Sequence, residues 1–211
     1  NDYSRTGIDL KTRENKVDVF IPGIGANFKF SNQLSLFGGV HKGFAPPGNT
    51  EGTNPEKSIN IELGGRFDFN GLKGELVGYY NDYDNLIGSD LAASGGTGSL
   101  DQFNAGRALV KGIELILNYD MLQNTNSKFK LPFTLSYTLT DARFQSSFDS
   151  EIDIYGAVNY GDQIPYIAKN QFNFTVALEN SIFNISLSGR YTDSFRTQSG
   201  TGAIPEEFKL Y

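Results

Sequence analysis

The feature that most constrains this chain is a period-2 alternation of apolar and polar residues that recurs along most of its length. In 59–69, Ile59, Ile61, Leu63, Gly65, Phe67 and Phe69 fall on one side, with Asn60, Glu62, Gly64, Arg66 and Asp68 on the other. The segments 131–140, 171–179 and 183–192 repeat the pattern with Leu131, Phe133, Leu135, Tyr137 and Leu139, with Phe172, Phe174, Val176 and Leu178, and with Phe183, Ile185, Leu187 and Tyr191. Successive side chains of a strand point to opposite faces of a sheet, so each segment carries one apolar and one polar face. No run of about 18 apolar residues exists, which excludes a transmembrane helix.

Eight strands are expected, near 16–31, 33–44, 57–69, 72–87, 105–120, 128–145, 167–180 and 182–196. Most exceed the usual 5–6 residues of a globular strand and reach the 9–11 that a tilted membrane-spanning strand needs. Short connections follow the first, third and seventh strands, at Ser31-Asn32-Gln33, Asn70-Gly71 and Asn180-Ser181, and a medium one, 123–127, follows the fifth. Asn-Gly is a hairpin signal, because both central residues of a type I′ turn take positive φ. Long polar connections, 45–56, 88–104 and 146–166, follow the even strands, and 197–211 follows the last. The loop Ala92–Ser99 is flexible by composition. Short turns at one end and long loops at the other describe an antiparallel up-and-down transmembrane β-barrel.

A soluble barrel shows the same alternation with its apolar face turned inward. Three features favour the membrane. The polar faces are small and uncharged, rich in Ser, Thr, Asn and Gly. Aromatics gather near strand ends, among them Phe28, Phe30, Phe44, Phe69, Tyr80, Tyr119, Phe144 and Phe195, as in interfacial girdles. The third is the strand length and loop asymmetry already noted. Composition agrees: 11 Tyr, 17 Phe and 24 Gly favour strands and turns. A net charge of -6 without a basic block argues against nucleic acid. The absence of a starting Met and of a signal peptide suggests a processed or excised chain.

Several segments resemble the barrel of a TonB-dependent outer-membrane receptor. Gly38-Gly39-Val40-His41-Lys42-Gly43-Phe44-Ala45-Pro46-Pro47 is similar to the family strand ending in Gly-Phe-x-x-Pro. Pro55-Glu56, followed by Asn60-Ile61-Glu62-Leu63-Gly64, resembles the strand that opens the next hairpin. Tyr79-Tyr80-Asn81-Asp82-Tyr83-Asp84-Asn85-Leu86-Ile87, then Asn104-Ala105-Gly106 with Val110-Lys111-Gly112-Ile113-Glu114-Leu115, and Pro165-Tyr166-Ile167-Ala168-Lys169-Asn170 follow in the family's order over roughly 16–211. The wording around His41 most resembles the ferric dicitrate type. The resemblance implies a location in the bacterial outer membrane and a 22-stranded barrel, of which residues 1–211 would supply one partial barrel domain without the plug and its TonB-contacting box. It implies as partners an iron chelate (ferric citrate or another siderophore), outer-membrane lipid, and the TonB energy-coupling protein through the plug.

No catalytic constellation is present, so no enzyme is expected, and no cofactor. The chain has no Cys and one His, so a metal site would need oxygen ligands alone. Asp149, Glu151 and Asp153 alternate in a loop, but their spacing is incomplete for Ca²⁺ and a solvated acidic loop is the plainer reading. Asn81, Asp82, Asp84 and Asn85 read as the upper end of a strand and its turn. Sequons at Asn173 and Asn184 lie inside strands and read as chance matches. Iron chelates are anionic, so cations in the upper lumen would attract them, and guanidinium groups pair with carboxylates through two bonds. The upper polar positions are His41, Arg107, Arg143, Arg190 and Arg196. Arg66 lies lower and is expected to join a charge network with Glu62 or Glu114.

Two alternatives share parts of the pattern: a soluble or surface β-sheet protein that binds carbohydrate or protein, and a passive porin. A membrane barrel turns Leu135 to lipid, so Leu135→Arg should cost about 2–4 kcal/mol near the midplane. Denaturant titration of vesicle-inserted protein measures it. Unchanged stability, with the variant soluble without detergent, would contradict the membrane assignment.

Overall fold

The computed structural model describes residues 18–46, 54–89, 102–150, 154–206 and 209–210. The opening segment 1–15, most of the loop at 88–104 including Ala92–Ser99, and Glu151 and Asp153 lie outside them. One antiparallel sheet organises the molecule. Its strands are β1 (Gly23–Lys29), β2 (Leu34–Ala45), β3 (Glu56–Phe69), β4 (Leu72–Asp84), β7 (Ala108–Asp120), β8 (Pro132–Phe144), β11 (Asn170–Glu179) and β12 (Asn184–Thr192). They are hydrogen-bonded in the order β1-β2-β3-β4-β7-β8-β11-β12, so each strand pairs with the next of the eight in the chain. Among the described residues, three two-stranded ribbons follow the even strands of the sheet: β5 (Ile87–Ser89) with β6 (Gln102–Asn104), β9 (Phe148–Asp149) with β10 (Ala157–Val158), and β13 (Phe195–Arg196) with β14 (Lys209–Leu210).

The eight expected strands are present, with ends that shift for local reasons. The first begins at Gly23, just after Pro22, which has no N–H to give the ladder. The fourth stops at Asp84 because Asn85 turns left-handed (φ 54°) and breaks the extended run. The eighth stops at Thr192 and resumes as β13.

The short turns hold themselves. Asn70 and Gly71 both have positive φ, 49° and 79°, as a type I′ hairpin requires. The Gln123 amide donates to the Asn70 carbonyl and ties this turn to the neighbouring one. Asp120 Oδ1 accepts from the N–H groups of Leu122 (3.0 Å) and Leu131 (2.9 Å), and Asn180 Oδ1 from those of Ile182 (2.7 Å) and Phe183 (2.9 Å). Each is a side chain standing in for a backbone acceptor at a turn.

The register aligns the apolar positions across the whole sheet. One row runs Phe28, Leu36, Gly65, Leu76, Leu115, Tyr137, Phe172, Tyr191, each residue opposite the next. The adjoining row on the other face runs Asn27, Phe37, Gly64, Val77, Glu114, Thr138, Gln171, Thr192. Among the described residues no second layer covers the apolar face: Ile24 is 76% exposed, Leu63 68% and Leu187 64%. In water such a face would be an aggregation surface far larger than the patches monomers tolerate; against acyl chains it is the expected exterior. The buried hydrophobic cluster is small and sits at the loop end: Ala105, Ala108, Phe144 and Val158, with Tyr83, Leu86, Phe148, Tyr155 and Ile164 packed against it.

Glycines inside the strands serve a packing purpose. Phe37 faces Gly64, Phe67 faces Gly74, Tyr79 faces Gly112 and Phe174 faces Gly189, each pair directly opposite in the ladder. In every pair the aromatic ring lies where the glycine's Cβ would be. The ring covers backbone that the glycine leaves bare. Gly189→Val should therefore displace the Phe174 ring and destabilise the sheet by about 1–3 kcal/mol, as overpacking does elsewhere. Urea titration of the vesicle-inserted variant tests this, and the double variant Gly189→Val/Phe174→Ala should recover part of the loss.

Candidate ligand-binding face

Alternation along each strand decides which side chains share a face. On the polar face near the loop end stand His41, opposite Asn60, and Arg190, opposite Asn173. Arg190 donates to Gln171 Oε1 at 3.3 Å. Lower on the same face, Arg66 pairs with Glu75, its direct cross-strand partner, and lies over the Phe37 ring at 4.2 Å. Glu62, Glu114, Asn81 and Tyr79 line the same recess. The expected network exists, but the carboxylate that holds Arg66 is Glu75 rather than Glu62 or Glu114. The signal was in the sequence: a turn centred on Asn70-Gly71 places 66 opposite 75.

Arg143 and Arg107 are corrections to the lumen expectation. Arg143 has the parity of Leu139 and Tyr137, so it lies on the apolar face. It donates to Asp141 Oδ1 (2.8 Å) and to the Gly161 carbonyl (3.0 Å). Arg107 bonds both oxygens of Asp82, at 3.2 and 2.9 Å, and Asp82 shares the face of Leu76 and Tyr80. Both arginines therefore cap the upper border of the exterior.

Arg196 is 5% exposed and spends its donors on the loops. Its Nε donates to Gln163 Oε1 (3.0 Å), and one terminal nitrogen donates to the carbonyls of Thr201 (2.6 Å), Gly202 (2.9 Å) and Ala203 (3.1 Å). Two motif residues have similar duties. The Asn104 amide donates to the carbonyls of Asn54 (2.9 Å) and Asn85 (3.2 Å) and its oxygen accepts from Asn54 N–H, while Glu56 accepts from Ile87 N–H (2.9 Å). The bases of neighbouring loops are thereby clamped together.

Just beyond β12, Asp193 accepts from the Asn170 side-chain amide (2.6 Å) and backbone (3.1 Å) and from the Tyr191 hydroxyl (2.9 Å). These bonds, the Asn170 side-chain amide foremost, hold its carboxyl below the usual range. In the loop, burial raises the Tyr155 phenol. Among the described residues no cluster of three or more His, Asp or Glu is arranged to hold a metal ion.

A family described as TonB dependent receptor-like, beta-barrel matches residues 1–206. Among solved structures, the chain is similar to the FrpB iron transporter from Neisseria meningitidis (F3-3 variant), with TM-score 0.57 and 15% identity over 83% of this chain and 27% of that one. It is similar to the siderophore receptor PirA from Acinetobacter baumannii, with TM-score 0.58 and 18% identity over 86% and 29%. It is also similar to the ferric yersiniabactin uptake receptor FyuA from Yersinia pestis, with TM-score 0.57 and 16% identity over 83% and 26%. The chain thus spans under a third of the length of the structures it matches.

Because the buried Arg196 gathers Gln163 and the carbonyls of Thr201, Gly202 and Ala203, Arg196→Ala should loosen 197–206 at a cost of about 1.5–3 kcal/mol, the range for hydrogen bonds to charged groups. Limited proteolysis should show new cleavage in that loop, while the strands stay protected.

Proposed function

Because this chain belongs to the TonB dependent receptor-like β-barrel family, a family of transporters rather than enzymes, we propose that it forms part of the wall of a receptor that imports an iron chelate across the bacterial outer membrane. The outer membrane is the family's location, and the sheet suits it, with one face apolar and exposed and the other polar. The observation that carries the reading is the family match along residues 1–206, joined to that division of faces. The names of the similar structures, an iron transporter and two siderophore or ferric-siderophore receptors, support iron chelates as the cargo class. Ferric citrate or another siderophore fits the anionic character that cations on the polar face would recognise. On this reading residues 1–211 are one partial barrel domain. A plug elsewhere in the protein carries the contact with TonB, and no covalent step occurs: the loops and wall bind the chelate and the plug moves.

Of the five candidate ligand residues, His41 and Arg190 keep that role, because they alone face the lumen near its mouth. Arg196 supports the loops. Deleting the gene for the full receptor should abolish uptake of its radiolabelled iron chelate, with growth on free iron unchanged; persistent uptake would reject the reading. In the intact receptor Arg190→Gln should weaken chelate binding about tenfold, the loss of one charge-assisted bond, whereas Arg143→Gln should leave it unchanged. Equilibrium titration of both variants measures the contrast.

A further inference from the structure

The apolar face changes character at its loop end. The row Ile24, Val40, Ile61, Tyr80 continues into Lys111 and Asp141, and the next row contains Lys42, Asp82 and Arg143. Charges on a hydrocarbon-facing surface are costly at the midplane and tolerated only near the interface, so this border marks the headgroup level.

One part of the border is a groove of about 640 Å³. Its floor is apolar: Leu63, Ile113 and Leu139 surround Gly78. A Cβ on Gly78 would make only ordinary van der Waals contact with the Leu63 carbonyl oxygen, at 3.9 Å, so the notch has room for an added side chain or an acyl chain. This glycine, unlike Gly64, Gly74, Gly112 and Gly189, has no aromatic ring over it. The upper rim carries Lys111, Arg143 and Lys169 around a single carboxylate, Asp141, which lies 2.8 Å from Arg143 and 4.0 Å from Lys111. Asp193, outside the groove lining, also interacts with Lys169, so three cations stand against two carboxylates and the rim above the apolar notch keeps a net positive charge.

We propose that this groove is a binding site for a phosphomonoester-bearing membrane lipid, with the phosphate on Lys111, Arg143 and Lys169 and an acyl chain in the notch at Gly78. Charge complementarity selects the headgroup, since Arg and Lys together neutralise a dianionic phosphate and Arg offers paired donors to it. The position selects a lipid over a soluble anion. The floor belongs to the face that meets hydrocarbon, where only a molecule already in the bilayer can lie. The proposal rests on the outward orientation of the apolar face and not on the identity of the imported chelate.

The test uses the full receptor in nanodiscs that contain equal amounts of phosphatidic acid and phosphatidylcholine of identical chains, with native mass spectrometry of the lipid retained on release. Retained phosphatidic acid should exceed phosphatidylcholine, and each neutralised cation (Lys111→Gln, Arg143→Gln, Lys169→Gln) should lower that preference about fivefold. Gly78→Leu keeps the cations but fills the notch, and should lower retention of both lipids. Each variant is scored only in its folded, heat-modifiable form, and Lys169→Gln, an exposed site outside the strands, keeps the test decisive if a strand variant misfolds. Equal retention of the two lipids by the wild type, indifference to the cation substitutions, or displacement of the lipid by inorganic phosphate alone would overturn the proposal. Iron-chelate uptake is measured separately, so failure of either claim is recognisable by itself.

Discussion

Hydrocarbon offers no partner to a peptide N–H or C=O, so a chain that crosses it must pair every backbone group internally. That requirement shapes this sheet before any side chain is considered. It demands long strands in continuous antiparallel register, and the eight strands supply it with each neighbour paired along most of its length. Among the described residues β1 and β12 pair on one side only. In a bilayer those flanks need further strands, which agrees with a chain that matches less than a third of the similar receptors.

The same constraint explains the side-chain division. With backbone polarity satisfied in the ladder, solvent on each side selects the residues: Leu63, Ile185 and Leu187 outward, and Asn60, Ser136 and Thr175 inward. Inward polar groups then find one another, as with Thr175 and Ser188 at 2.8 Å and Tyr79 and Thr140 at 2.8 Å. Aromatic rings laid over strand glycines complete the wall on both faces: Phe37 and Tyr79 on the polar side, Phe67 and Phe174 on the apolar side.

Much of this was legible in the sequence because period 2 is a local property. The strands, the Asn70-Gly71 turn and the face of Leu135 follow from residues a few positions apart. The candidate site was less legible. His41 and Arg190 lie on the polar face, as expected, whereas Arg143 and Arg107 do not, because height along a strand does not fix the face and parity does. Counting from Leu139 would have put Arg143 outside. Arg196 was unreadable in principle: its partners, Gln163 and the carbonyls of 201–203, come together only when two loops fold over the sheet end. Asn104 and Glu56 carried a motif whose purpose, clamping loop bases, is visible only in three dimensions.

The buried guanidinium of Arg196 has a mechanical corollary. It joins the connection after β8 to the one after β12, and the Ser199 N–H and hydroxyl reinforce the seam through the carbonyls of Ile154 (3.1 Å) and Tyr155 (2.6 Å). Two stretches of chain with separate roots thus share one rivet, so neither can swing aside alone. Moving either stretch alone would break these bonds, whereas moving both together would keep them.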